Sequence, residues 1–360
     1  MAVRCERSSA TSPGLSGSDV TGVAGDVAPL RVGVIGLGVG EQHIIGYEQH
    51  PACKVVALCD SDVDRLKEVG RRHAPTALTS RADDVLQDPS IDIVSIATYD
   101  DVHAEQVIRA IEHGKHVFVE KPLCMGMEEA RRIRGALGQR PKLRLSSNLI
   151  LRVSPRFAAI KRRIDDGLFG SLFHIEADYN YGRLHKITDG WRGRLDHYSV
   201  VLGGAVHVVD LLLWLTGSQA VEVSAYGNNI ATRGCGFGHN DMVVAILRFE
   251  SGLTAKVTAN FGCVLPHGHG LAVYGTGATF IQGDPHGRLY TSRDPQAPPE
   301  LIIEPHPATA KGALIDSFIG AILGQRQAIV SEQDVFKTMS VCLAIEQSVR
   351  DGRPVRVTYV

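Results

Sequence analysis

The sequence predicts an α/β fold in which a doubly wound parallel sheet is followed by an α+β domain with a mostly antiparallel open sheet. Between residues 30 and 149, short apolar strands alternate with helical patterns, which is typical of a parallel sheet covered on both faces. Beyond residue 149, several predicted strands follow one another directly, which favours antiparallel pairing. We therefore expect domains at 30–149 and 150–360. Residues 1–29, rich in Ser, Gly, Ala and Pro, are predicted to be a disordered extension.

The predicted elements alternate in the first domain and change character in the second. First-domain strands are expected at 31–36, 54–59, 91–97, 116–119 and 143–147, and helices at 39–49, 62–73, 80–87, 101–113 and 127–137. Second-domain helices are expected at 153–166, 204–216, 313–323 and 332–350. Its strands are expected at 172–181, 220–231, 242–250, 253–262, 271–275, 278–282 and 354–357, with a proline-rich irregular segment at 283–311.

The composition is typical of a globular protein without a nucleic-acid or membrane partner. Of the 360 residues, 44% are hydrophobic and 21% are charged, and the formal net charge is −1. No apolar run is long enough for a membrane span or a signal peptide. The seven cysteines show no C-x-x-C spacing, so we expect free thiols in the cytoplasm. His267 and His269 are expected to be solvated loop residues, and no metal site is predicted.

A glycine-rich turn follows the first strand and opens the first helix. The stretch Gly36-Leu37-Gly38-Val39-Gly40 comes directly after an apolar run. Backbone N–H groups of such a turn, together with the positive end of the helix, bind a pyrophosphate. The match to G-x-G-x-x-G is incomplete, because Glu41 stands at the third glycine position. An ordinary strand-turn-helix corner is the alternative interpretation.

The second strand ends in an aspartate at the distance that a dinucleotide site requires. Asp60 follows the glycines by about 20 residues. A carboxylate there can accept both ribose hydroxyls of an adenosine and repels a 2′-phosphate, so NAD is predicted and NADP is disfavoured. Asp60 could instead cap the helix that follows, and the two roles are compatible.

Two further stretches follow predicted parallel strands, at the rim where ligands of such sheets bind. These are Ala97-Thr98 and Glu120-Lys121-Pro122. Proline restricts the residue before it to an extended backbone, so Lys121 is expected to point into the cleft. Its ammonium can donate a hydrogen bond to an alcohol or ketone oxygen and stabilise the alkoxide formed during hydride transfer. A surface lysine lying over the strand end is the alternative.

A predicted helix carries a histidine that suits proton transfer. On this helix, His207 and Asp210 lie on one face at positions i and i+3. An imidazole with a pKa near 6.5 suits removal of a hydroxyl proton near neutral pH, and the carboxylate could orient it. We therefore predict His207 as the general acid/base. A core histidine satisfied by Asp210 is the alternative.

Several spaced motifs, taken together, resemble the glucose-fructose oxidoreductase, inositol dehydrogenase and rhizopine-catabolism (Gfo/Idh/MocA) family. The likeness runs from residue 31 to the end of the chain. The motifs are Gly36-x-Gly38, His43, Asp60, Ala97-Thr98-Tyr99-Asp100-Asp101-Val102-His103, Gly114-Lys115-His116-Val117, Glu120-Lys121-Pro122, Arg152 with Pro155, Gly167 with Gly170, Gly203-Gly204 to Trp214, Gly275-Thr276 and Gly352-Arg353-Pro354-Val355.

The resemblance implies a dinucleotide domain joined to a substrate domain whose open sheet often forms a homodimer or homotetramer. It implies NAD(P)-dependent chemistry at a secondary alcohol of a sugar or cyclitol, with Lys121 near substrate and nicotinamide. With the motif positions, the expected cofactor contacts are Gly36, Gly38, Val39, Gly40, Asp60, Thr98, His103 and Glu120. The expected substrate contacts are Lys121, Asn148, Arg152, Tyr181, Trp191, Arg192, His207 and Asp210.

The chain also departs from this family. Many members place an aspartate four residues before the histidine, where this chain has Gly203. Asp210, Asp196 or Tyr181 could replace it. Tyr99 and Asp100 stand where the family usually has proline and asparagine.

The leading hypothesis is an NAD-dependent dehydrogenase that acts on a ring alcohol of a sugar, aminosugar or cyclitol. Arginine- and alanine-rich helices suggest a high-GC bacterium, and with it a secondary pathway such as aminoglycoside assembly. Two alternatives stay open: an NAD-dependent glycosidase that works by transient oxidation and elimination, and a nucleotide-binding regulator without catalysis.

Overall fold

The computed structural model describes residues 28–195, 197–309 and 312–360. The predicted disordered extension therefore lies outside the described residues, apart from positions 28 and 29. The described chain builds two sheets, of six and nine strands. No helix within the described ranges is both long and apolar enough to cross a membrane.

The first sheet is parallel throughout and has the strand order β3-β2-β1-β4-β5-β6. Its strands are β1 (Leu30–Ile35), β2 (Cys53–Cys59), β3 (Ala77–Thr79), β4 (Ile93–Ile96), β5 (His116–Val119) and β6 (Leu145–Ser147). The helices between them are α1 (Leu37–Glu48), α2 (Val63–His73), α3 (Ala82–Leu86), α4 (His103–Glu112) and α5 (Met127–Gly138). This confirms the predicted doubly wound sheet of the Rossmann type, whose strand order reverses between β1 and β4.

The second sheet is mostly antiparallel, as predicted, and its one parallel contact joins β7 to β10. Its strands run in the order β14-β13-β12-β11-β7-β10-β9-β8-β15. They are β7 (Leu172–Asn180), β8 (Ala220–Asn228), β9 (Met242–Phe249), β10 (Thr254–Asn260), β11 (Gly268–Gly275), β12 (Thr279–Ile281), β13 (Gly287–Tyr290), β14 (Glu300–Ile302) and β15 (Val355–Arg356). The remaining α-helices are α6 (Pro155–Asp165), α7 (His185–Thr188), α8 (Val206–Thr216), α9 (Ile315–Ile322) and α10 (Glu332–Asp351), and a π-helical turn, Val201–Ala205, leads into α8.

The prediction of a wholly irregular segment at 283–311 is wrong in two places. Strands β13 and β14 extend the edge of the second sheet there. Each buries one apolar side chain, Leu289 and Ile302, against the sheet core. Strands of three or four residues show too little alternation for the period of two to be recognised among prolines.

Helix α8 lies under the inner face of the second sheet and is almost wholly buried. Its run of valines and leucines is apolar all round, which is typical of a helix enclosed by other elements. On β10, Ala255 and Val257 face this layer, whereas Lys256 lies on the opposite, open face. Helix α9 returns to the first sheet, where Phe318 packs 5.6 Å from Phe118 between ring centroids.

Candidate functional site

A cavity of about 760 Å³ lies between the carboxyl ends of the parallel strands and the inner face of the second sheet. We call its two parts the glycine end and the histidine end. The glycine end includes Gly36, Gly38, Val39, Asp60, Arg65 and Thr98. The histidine end includes Lys121, Asn148, Tyr179, Tyr181, Trp191, Arg192, Tyr198, His207, Phe261, His267 and His269.

The glycines of the turn have three different structural roles. Gly36 has φ +86°, and a Cβ there would lie 2.4 Å from the Ala97 carbonyl oxygen. A Cβ on Gly38 would meet nothing within 4 Å, so its backbone is open to the cavity. A Cβ on Gly40 would lie 3.1 Å from Val34, which identifies Gly40 as the residue that lets α1 approach β1. The expected cofactor contact at Gly40 is therefore corrected to a packing role.

Asp60 directly follows β2, lines the cavity and is hydrogen-bonded to the glycine turn. Its Oδ2 accepts a hydrogen bond from Leu37 N at 2.7 Å, and its Oδ1 accepts one from Asp62 N at 2.8 Å. The helix-capping alternative falls instead on Asp62, whose side chain accepts from the amides of Asp64 and Arg65. Asp60 thus presents a buried carboxylate at the glycine end, where a 2′-phosphate would be repelled.

Glu120 is an ionised carboxylate at the base of the cavity. His43 Nε2 lies 3.2 Å from its Oε1, and Asn148 donates to the same oxygen at 2.8 Å. Burial alone would raise the pKa of Glu120. The hydrogen bond from His43, with the charge of Lys121, holds that pKa well below its ordinary value. The site therefore keeps a fixed negative charge beside Lys121.

Lys121 is anchored across the cavity to the second domain. Its Nζ donates to the carbonyl of Gly203 at 3.2 Å, and the peptide bond to Pro122 is cis. Both Lys121 and Gly203 line the cavity. The Lys121 ammonium, which follows strand β5, thus lies close to the start of α8.

His207 lies in the first turn of α8 and is 9% exposed. Its ring stacks on Tyr179, with centroids 5.9 Å apart and an interplanar angle of 20°. Burial, followed by the charge of Lys121, lowers the pKa of His207 well below its ordinary value. No group within the described ranges forms a hydrogen bond with its Nδ1. The imidazole is therefore neutral near pH 7, the form that can accept a proton.

Aromatic rings form the wall around His207. Tyr179 and His269 are register partners on β7 and β11, with ring centroids 5.4 Å apart. Tyr181 lies 4.6 Å from Phe261. Burial lowers the pKa of His269 to about 3, so its ring is neutral. Such a wall offers flat apolar faces to the C–H surface of a ring substrate.

The expectation that His267 and His269 are loop residues is wrong for His269, which lies on β11, whereas His267 precedes that strand; both line the cavity. The two rings lie 5.2 Å apart between centroids. Within the part of the chain that the structure describes, no group of three or more His, Cys, Asp or Glu side chains could hold a metal ion.

Arg192 and Trp191 line the cavity beside Tyr99. The guanidinium of Arg192 lies 4.5 Å from the Trp191 ring centroid, and Trp191 lies 4.7 Å from Tyr99. Arg183 stands 5.5 Å over the Tyr181 ring in the same way. The histidine end thus carries two guanidinium groups in addition to Lys121.

Four expected site residues lie outside the cavity lining: Gly40, described above, and Arg152, Asp210 and His103. Arg152 and Asp210 form a buried ion pair, with Nη2 and Oδ1 2.7 Å apart. Asp210 therefore neither orients His207 nor binds substrate, as it was expected to do. His103 is buried with its Nδ1 2.6 Å from the Pro122 carbonyl and its Nε2 3.2 Å from the Thr98 carbonyl, so it joins two loops instead of contacting a cofactor.

The structure also brings in residues that the sequence did not indicate. Tyr198 and Phe261 line the histidine end, but neither belongs to a motif. Their position follows from chain packing around α8, which leaves no local pattern. Asp196, one of the candidate substitutes for the missing aspartate, lies outside the described residues.

Both halves of the chain match models of one protein family. Residues 30–147 match the description "Oxidoreductase family, NAD-binding Rossmann fold", and residues 157–281 match the "GFO/IDH/MocA C-terminal domain". The chain is 26% identical over 340 residues to the scyllo-inositol 2-dehydrogenase (NAD(+)) of Bacillus subtilis, covering 91% of this chain and 96% of the relative. It is 26% identical over 336 residues to the 1,5-anhydro-D-fructose reductase of Ensifer adhaerens, covering 91% and 98%.

Solved structures share the fold. The scyllo-inositol dehydrogenase of Lactobacillus casei with bound NAD(H) and scyllo-inositol matches with a TM-score of 0.78 at 19% identity, covering 91% of this chain and 99% of that chain. Levoglucosan dehydrogenase in complex with NADH and levoglucosan matches with a TM-score of 0.79 at 21% identity, covering 92% and 100%.

Proposed function

The chain belongs to the Gfo/Idh/MocA family of NAD-binding oxidoreductases, and from that premise we propose that it oxidises, reversibly, a secondary alcohol on a sugar or cyclitol ring. One observation carries the proposal: Lys121 and His207 line the same cavity as the glycine turn. A dinucleotide bound along this cavity would bring its nicotinamide to the two side chains that an alcohol oxidation needs.

The residues at the glycine end fit NAD. Gly36 makes the tight turn, and Gly38 leaves the backbone open for a pyrophosphate. Asp60 supplies a carboxylate for the ribose hydroxyls, with Val39 and Thr98 on the neighbouring wall. The cofactor, when bound, accepts the hydride that leaves the carbinol carbon.

Residues of this chain carry out the proton transfer and stabilise the charge that develops during the proposed oxidation. His207, neutral near pH 7, takes the hydroxyl proton as general base. Lys121 donates a hydrogen bond to the oxygen as negative charge develops on it, and the oxygen electrons form the new carbonyl bond. Glu120, ionised beside Lys121, balances the charge of the ammonium.

The histidine end favours a neutral polyhydroxylated ring. Tyr179, Tyr181 and Phe261 offer apolar faces, and Asn148 and Arg192 offer polar contacts. The guanidinium groups of Arg183 and Arg192 would repel the ammonium of an aminosugar, so a sugar or cyclitol without an amino group is the favoured substrate.

We also propose that copies of this chain associate through the open face of the second sheet. Tyr226 is 71% exposed there, and Ile246 is 47% exposed. Beside them, Lys256 pairs with Glu176 at 2.7 Å. A homodimer or homotetramer would cover these apolar side chains. The proposed location is the cytoplasm, supported by the free thiols of the described cysteines.

The proposal is tested by incubating the purified protein and NAD with scyllo-inositol, myo-inositol, levoglucosan, glucose and an aminoglycoside. The measured quantity is the ultraviolet absorbance of reduced cofactor. We expect net NADH formation with at least one sugar or cyclitol. Release of free sugar from a glycoside without net NADH would indicate the glycosidase instead. NAD binding without any turnover would indicate the regulator.

A further inference from the structure

The phenol of Tyr198 fills the space beside Gly203. A Cβ built on Gly203 would lie 2.2 Å from Tyr198 Oη and 2.8 Å from its Cζ. No residue other than glycine can stand at 203 while the phenol keeps this position. Gly203 lies four residues before His207, and its carbonyl accepts the hydrogen bond from Lys121. Tyr198 therefore places its hydroxyl beside the residue whose carbonyl binds Lys121, and all three residues line the cavity together with His207.

This hydroxyl is buried and has no acceptor. Tyr198 is 2% exposed, and no group within the described ranges accepts a hydrogen bond from its Oη. Arg192 lies beside the phenol, but a guanidinium can only donate. A buried donor without an acceptor costs about 1–3 kcal/mol. The missing acceptor is therefore expected to come with a ligand.

The phenol also keeps its proton. Burial raises the pKa of Tyr198 above its ordinary value, although Arg192 opposes the rise. Its ring packs against Phe261 and Phe237, with centroids 6.3 and 6.2 Å away, which fixes its orientation. A rigid and permanently protonated hydroxyl is suited to donate to an oxygen that gains negative charge.

We propose that Tyr198 is a further catalytic residue, whose hydroxyl donates a hydrogen bond to the substrate oxygen that Lys121 also contacts. The inference rests on the proposed alcohol oxidation. The hydroxyl proton of the substrate goes to His207, and Tyr198 keeps its own proton throughout. Gly203 is the residue that admits the phenol to this position.

The test replaces Tyr198 by phenylalanine and measures oxidation of the alcohol that the panel of sugars and cyclitols identifies. The Tyr198→Phe variant is expected to lose about 100-fold in kcat/KM, as loss of one preorganised donor does. Its dissociation constant for NADH and its Tm should stay unchanged. The deuterium isotope effect with carbinol-deuterated substrate should rise, because the hydride step becomes slower.

A matched control removes a tyrosine hydroxyl away from the cavity. Tyr359 donates to the carbonyl of Ala220 at 2.9 Å, and Tyr359→Phe should leave kcat/KM and the isotope effect unchanged. A second variant, Gly203→Ala, displaces the phenol without removing it. It should lower kcat/KM at least 10-fold, about 1.4 kcal/mol, while NADH still binds.

The outcomes separate this inference from the proposed function. Activity of Tyr198→Phe equal to that of the unmodified protein would overturn the inference alone. A loss of activity that came with weaker NADH binding or a lower Tm would mean a structural role, and would overturn it too. If the unmodified protein oxidised none of the alcohols, the proposed function and the inference would fail together.

Discussion

Arg152 donates to both carboxylate oxygens of Asp210, with Nε–Oδ2 at 2.9 Å and Nη2–Oδ1 at 2.7 Å. Thr338 donates to the same carboxylate from α10 at 3.2 Å. The pair therefore joins α8 to the chain that follows the first sheet and to the C-terminal helix. Asp210 would be an uncompensated buried charge without Arg152, whereas Arg152 also pairs with Asp334, with Nη1 and Oδ2 3.1 Å apart.

We predict that breaking this pair destabilises the protein without a direct effect on catalysis. Arg152→Met or Asp210→Asn should lower the free energy of unfolding by about 3–5 kcal/mol, measured in urea. The double variant Arg152→Met/Asp210→Leu should recover part of the loss, because the charge that then lacks its Arg152 partner, Asp334, is partly exposed. If a single variant kept its stability but had a raised KM for the alcohol, Arg152 and Asp210 would instead be substrate-binding residues.

Lys121→Met should abolish most of the turnover and leave NADH binding intact. The loss expected for one donor to a developing alkoxide is about 10²–10³ in kcat. Turnover is measured by NADH formation and binding by cofactor fluorescence. Lys67→Met, on the exposed face of α2, is the control and should change neither quantity. Unchanged turnover in Lys121→Met would remove this residue from the mechanism.

The pH dependence of oxidation should reflect the lowered pKa of His207. Burial and the charge of Lys121 favour the neutral ring, so the base remains active as the pH falls through 6.5. The acid limb of kcat/KM against pH is therefore expected below 6.5. Stopped assays in overlapping buffers measure it. An acid limb above pH 6.5 would mean that the imidazole is more solvated than its burial indicates.

Alanine substitutions should separate the two functional glycines of the turn. Gly38→Ala meets no atom within 4 Å, so Tm should hold while the affinity for NAD falls at least about tenfold, because the methyl group blocks the pyrophosphate. Gly36→Ala should lower both the Tm and the affinity for NAD, because a side chain is strained at a φ of +86° and its Cβ would clash with the Ala97 carbonyl.

Gly135→Ala, in α5, is the matched control for these glycine variants. A Cβ there also meets nothing within 4 Å, and the site is remote from the cavity lining. It should leave NAD affinity unchanged and, at most, stabilise the helix slightly. An unchanged NAD affinity in Gly38→Ala would contradict the proposed pyrophosphate site.

Local sequence patterns were sufficient to predict most strands and helices of the first domain. Strand β5 has the predicted bounds, because its apolar run lies between Lys115 and Glu120. The parallel arrangement then follows from the alternation of strands and helices, and it brings Asp60 and Lys121 to one rim. The edge strand β3, which is largely exposed, was not predicted, because its three residues bury little apolar surface.

The errors at the site come from contacts between distant parts of the chain. A helical period places Asp210 near His207, but it cannot show that Arg152, 58 residues earlier, binds the carboxylate. Tyr198 belongs to none of the motifs. Its phenol can occupy this position only because Gly203 has no side chain. Gly203 marks the departure from the family pattern in the sequence, but only the packing identifies what fills the space.

A crystal structure of the protein with NADH tests the central claim most directly. We predict that the pyrophosphate lies on the backbone amides that follow Gly36, and that the nicotinamide ring lies beside Lys121 and His207 at the histidine end. A nicotinamide bound out of reach of Lys121, or a dinucleotide bound outside this cavity, would contradict the account.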